Sequence, residues 1–146
     1  MAEARDHTNH VNTWMHEAAR GLSSDQLLEL FEQGARALWN QAYLTLGEIT
    51  LTAILDRVLY DAAERFPPFE LLKVEATGID CRELRDQREV LDDRDLAEGI
   101  RFVLIEFLIV IGNLTAEILT PALHAELSKV KLDDPARGNR RGEGKS

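Results

Sequence analysis

Four polar side chains interrupt an otherwise apolar stretch towards the end of the chain: Glu106, Asn113, Glu117 and His124. They recur at spacings of seven, four and seven. At about 100° per residue such spacings draw them into one narrow line along a helix. Two carboxylates, an amide and an imidazole on one line support three chemistries. They can form the solvated edge of the helix. Glu106 and Asn113 can instead sit buried and set the register of a symmetric apolar seam, a use of polar groups that costs stability. Or Glu106, Glu117 and His124 can converge on a ligand or a catalytic site, where carboxylate and imidazole exchange protons.

Other chemistry-bearing residues are few. His7 and His10, with His16 beyond them, have the spacing of a weak divalent-metal site; solvated histidines are the alternative. Cys81 is the only cysteine. It precedes a predicted helix, where the dipole lowers a thiol pKa, so it is a modest redox-sensitive candidate. Glu48 and Asp56 lie eight apart on one helix, too common a spacing to mark an acid–base pair. The chain has no Glu-x-x-His pair, no His-Glu-x-x-His, no paired cysteines and no glycine-rich phosphate loop. No catalytic residue, metal or cofactor is therefore expected.

The elements that must position these residues read as helices. Residues 1–22 form a polar, weakly helical segment. Ser23 followed by Gln26 is a capping-box signal, and Leu27, Leu30, Phe31, Leu38 and Tyr43 continue it as an amphipathic helix. Thr45 to Glu48 repeats the signal, so a second helix starts near Leu46; one bent helix across residues 43–47 is the alternative. Pro67 and Pro68 end it. Residues 69–78 are ambiguous, and a helical turn or an extended connection is favoured because no partner strand is evident. Asp80 and Cys81 open a short charged helix to about Val90. Asp92, Asp93 and Asp95 then suit the start of a last helix spanning about residues 96–130, kinked near residues 117–121 by Pro121. Residues 133–146 have the composition of a disordered tail. The expected fold is all-α: a bundle of about four to five helices in residues 23–132, with a long kinked central C-terminal helix.

Residues 100–111 are apolar nearly all round, which calls for cover on most sides. A chain of 146 residues can supply part of that cover. A second copy supplying the rest makes a homodimer, with Phe102, Ile105, Phe107, Leu108, Ile111 and Leu114 as its interface. Net charge is −9, which repels phosphate backbones and excludes nucleic acid as the expected partner. The longest uncharged run, residues 107–116, is far short of the ~20 residues a membrane span needs. No signal peptide opens the chain, and a cytoplasmic location is expected. The leading functional expectation is a non-enzymatic helical interaction or regulatory module, adaptor-like in signalling, with a protein partner possible. The alternative is a helical sensor that holds an apolar ligand or a haem-like group in its core.

Asn113-Leu114-Thr115-Ala116-Glu117-Ile118-Leu119-Thr120-Pro121 resembles the H-box of sensor histidine kinases, roughly Asn-Val-Ser-His-Glu-Leu-Arg-Thr-Pro. The resemblance covers nine residues and implies a kinked helix in a dimeric four-helix bundle. Ala116 stands where that family has its phosphorylated histidine, so phosphotransfer at this position is chemically excluded.

Overall fold

The computed structural model describes residues 3–75, 78–87 and 92–132. Five helices and one small hairpin account for most of them. Helix α1 is Glu3–Ala18 and α2 is Ser24–Arg65. A 3₁₀ turn, Pro67–Leu71, leads into strands β1, Lys73–Glu75, and β2, Gly78–Asp80. Helices α3, Arg82–Asp86, α4, Asp93–Leu114, and α5, Thr120–Ser128, complete the fold. The all-α class expected from the sequence holds, and no described helix is long and apolar enough to cross a membrane.

The long bent helix is α2, not the last one. Ser23 caps it through the expected box, its hydroxyl accepting from the Gln26 amide while the Gln26 side chain accepts from the Ser23 amide. Gly47, at φ 82° and ψ 166°, breaks it midway. The break is a reversal. The rings of Phe31 and Phe69 lie 6.5 Å apart, whereas an unbroken helix covering residues 31–65 alone would span about 50 Å. The two arms of α2 therefore fold back on each other with Gly47 at the turn.

Helix α4 runs antiparallel to the second arm. Phe69 lies against Gly99 near its start, and the Arg65 guanidinium sits 4.7 Å over the Phe102 ring. Helices α1 and α2 both pack against α4. Together they enclose Ile100, Val103, Leu104, Phe107, Leu108 and Ile111 within a single chain. This overturns the premise that the chain cannot shelter this stretch alone. Phe107, Leu108 and Ile111, expected at a subunit interface, belong to the monomer core. Phe102 and Ile105 are partly covered, and only Leu114 is well exposed. Val11, Trp14, Met15 and Ala18 place α1 in that same core.

Two further expectations are corrected. The last helix is two helices: α4 ends at Leu114, and Pro121 lies in the first turn of α5. Proline is tolerated there because that turn leaves its amides free, so Pro121 starts a helix instead of kinking one. The connection after the 3₁₀ turn contains an antiparallel hairpin, with Lys73 opposite Asp80, Val74 opposite Ile79 and Glu75 opposite Gly78. Its strands are too short to show an alternation, and their pairing rests on α2 beneath them, where Ile79 is buried. Helix α3 closes at Asp86; Val90 and the expected disordered tail fall outside the described residues.

Candidate functional site

His7 occupies the same helical stripe as Val11, Trp14 and Ala18, and like them it is buried, at 0% exposure. A buried imidazole needs partners for both ring nitrogens. Its Nε2 lies 3.2 Å from Glu117 Oε1 and its Nδ1 lies 2.9 Å from His124 Nε2. An ionised carboxylate only accepts, so the Nε2 proton of His7 points at Glu117. A second hydrogen bond comes to Glu117 Oε1 from the Thr120 hydroxyl. The result is a chain of carboxylate, imidazole and imidazole linking three elements: α1, the corner between α4 and α5, and α5 itself.

The corner is shaped for that chain. Ala116 and Glu117 both adopt left-handed backbone, at φ 53° and 63°. The Glu117 amide reaches back 2.7 Å to the Gly112 carbonyl, closing the end of α4. Glycine usually takes the left-handed position in such a helix stop. Non-glycine residues there cost about 1–2 kcal/mol each. Surrounding contacts must offset that strain, and the bonds to Glu117 are the ones at hand. Gly112 makes the approach possible: a Cβ there would stand 2.7 Å and 2.8 Å from the two Glu117 oxygens and 2.9 Å from His7 Nε2.

His10 adds a third ring. It stacks on His124 with centroids 4.2 Å apart and planes 9° from parallel, while His7 meets His124 edge-on. The Nε2 of His10 donates to the His124 carbonyl at 2.9 Å, with Ser128 Oγ 3.0 Å away. Burial above all, then the neighbouring His10 and His7, pushes the His124 pKa down from 6.5 to about 4; Asp6 and Glu117 oppose this. His124 is therefore neutral at pH 7. An open groove of about 450 Å³ between α1 and α5 reaches the stacked pair, with Asp6, Asn9 and Thr120 on its walls.

The line read from the sequence is split. Glu117 and His124 meet, joined by His7 and His10. Asn113 stays exposed. Glu106 lies by a separate groove beside Asp61, Glu64 and Arg65. The reason is the corner: a line along one helix ends where the helix ends. His16 stays exposed and apart from the other histidines, and among the described residues no group of three or more His, Cys, Asp or Glu side chains is arranged to hold a metal ion. Cys81 also departs from expectation. Its thiol is fully buried, and burial, reinforced by Glu32, pushes its pKa up instead of down. Desolvation of the thiolate outweighs the short helix that follows.

A second feature shares this end of the molecule. Helix α4 points away from the open end of the α2 hairpin, so its terminus comes to the side where α2 turns. The start of α1 arrives there too, through His7. On that end Leu44 is 90% exposed, Ile49 88%, Ile118 77%, Leu114 57% and Tyr43 45%. Residues 40–55 and 107–124 contribute one charge each, Glu48 and Glu117. No family model, no curated protein and no solved structure matches this chain.

Proposed function

We propose that the chain is a cytoplasmic, non-enzymatic helical interaction module that pairs with a second copy of itself, through the end where α2 turns and α4 meets α5. The observation that carries this reading is the apolar surface there. Five large apolar side chains at that end, Tyr43, Leu44, Ile49, Leu114 and Ile118, are exposed to water, and apolar side chains gathered at one end of a fold are the kind of surface that partners cover. Local charge allows a second copy as the occupant. Two bodies at −9 repel one another, and the segments around residues 40–55 and 107–124 add little to that repulsion because each carries a single charge. A regulatory or adaptor role is the one we propose for that pairing.

Size-exclusion chromatography with light scattering at micromolar concentration tests it. The expected result is twice the chain mass, reduced to the single-chain mass by Leu44→Glu with Ile49→Glu. Both side chains are solvent-exposed, so the double variant keeps its helical circular dichroism. Phe107→Glu, by contrast, unfolds the chain, because Phe107 lies in the core. A wild-type protein that runs as a single chain up to high micromolar concentration overturns the proposal.

A further inference from the structure

We propose that His7, His10, His124 and Glu117 form a proton-operated latch: it ties the start of α1 to the α4–α5 corner, and acid opens it, withdrawing Leu114 and Ile118 from the surface proposed for self-pairing. The regulatory part rests on that pairing; the latch itself rests on the geometry alone.

Only one proton fits between His7 Nδ1 and His124 Nε2 at 2.9 Å. One nitrogen donates and the other accepts, so the contact requires at least one of the two rings to be neutral. When both carry a full complement of protons, two N–H groups face each other and the contact becomes repulsive. His10 sharpens the response, because a charge on its stacked ring acts on the face of His124 4.2 Å away. The titratable groups acting on His124 are Asp6, His7 and His10 from α1 and Glu117 from the corner. The remaining polar contacts, Thr120 and Ser128, are hydroxyls that do not titrate. The two carboxylates soften acid opening and the two imidazoles promote it. Burial and those imidazoles hold His124 neutral down to about pH 4, so the latch is closed at neutral pH and opens only in acid.

Opening reaches the corner through Glu117. Its carboxylate is bound by His7 and Thr120, and these contacts hold the left-handed pair at Ala116 and Glu117. Leu114 and Ile118 flank that pair. Loss of the His7 anchor frees the corner to relax and shifts both side chains, whereas the second half of α1 stays docked through Val11, Trp14 and Met15 in the core.

The test combines amide hydrogen exchange, corrected for the intrinsic effect of pH, with light scattering on the full chain between pH 7 and pH 4. The expected result is at least a tenfold loss of protection in the first two turns of α1 and around residues 115–119, absent from His124→Gln, whose amide does not titrate in this range. Histidine side-chain NMR of the wild type provides a second reading independent of any variant: the His124 resonances change with a midpoint near pH 4. Protection that is unchanged in acid, or lost equally in His124→Gln, overturns the latch. A single-chain mass at every pH, with His124-dependent loss of protection, supports the latch and overturns only the pairing. A dimer whose α1 protection ignores pH overturns the latch and leaves the pairing standing.

Discussion

The chain reverses direction twice at the same end of the molecule, by opposite means. At Gly47 the backbone enters a region open essentially to glycine, and an added Cβ there would meet nothing within 4 Å. That reversal is local: the residue permits it, and no neighbour has to hold it. Between α4 and α5 the left-handed positions are Ala116 and Glu117, neither of which favours such backbone. That reversal is tertiary: His7 from α1 and Thr120 from α5 bind the Glu117 carboxylate, and Gly112 leaves space for it. A turn built from a permissive residue is a hinge point of the fold. A turn built from strained residues and a buried histidine depends on the docking of another helix, and so can respond to whatever disturbs that docking.

The largest expected effect is at His7. His7→Ala leaves a buried void and strips Glu117 of a partner, at a cost of about 2–4 kcal/mol measured by urea denaturation. Thr45→Ala, on the exposed surface beside the other reversal, changes stability by less than about 0.5 kcal/mol. Equal effects at the two positions would erase the distinction between a held corner and a free one.

Next comes a pair of substitutions with opposite signs. Gly47→Ala forces a side chain into backbone reserved for glycine and destabilises by about 1–3 kcal/mol. Ala116→Gly relieves strain of about 1–2 kcal/mol and gives part of it back as unfolded-chain entropy, about 0.5–1 kcal/mol. The expected result is a rise in Tm for Ala116→Gly and a fall for Gly47→Ala, read from thermal melts at neutral pH. A fall in both would mean that the Ala116 backbone is not strained.

The last comparison is the pH dependence. His124 has its folded pKa depressed to about 4 from 6.5. Between those values the unfolded chain binds the proton that the folded chain refuses, so folding weakens as pH falls through this window. Above it the term is constant. The comparison is the slope of urea stability against pH between 6.5 and 4. Wild type should lose more stability than His124→Gln over that interval, and identical slopes would remove His124 as a source of acid sensitivity.

Much of the architecture was legible. The capping box at Ser23, a helix break or bend around residues 43–47 and the stop at Pro67 and Pro68 all rest on local chemistry, and all appear in the structure, the break as a bend at Gly47 within one helix. The hairpin was not legible, because three-residue strands show no alternation and gain stability only against α2. The corner was misread for a related reason. Pro121 in an apolar run fits either a kinked helix or a new start, and the choice depends on whether the backbone at Ala116 and Glu117 can be held open. Half of the candidate site was visible in the line through Glu117 and His124. The other half, His7 and His10, lies more than a hundred residues away; their spacing suggested a weak metal site, and only the stripe that His7 shares with Val11, Trp14 and Ala18 pointed to burial.

By itself the sequence determined the helical class, the core-facing stripes and the points where proline and glycine interrupt the chain, because those follow from periodicity and local backbone preference. Only the tertiary structure decided that the apolar heart of α4 is sheltered by its own chain, that α4 and α5 are separate helices, and that a buried histidine of α1 joins Glu117 and His124. Each of these depends on which surfaces meet across long sequence separations, and the free energy of those contacts is not carried by any one segment.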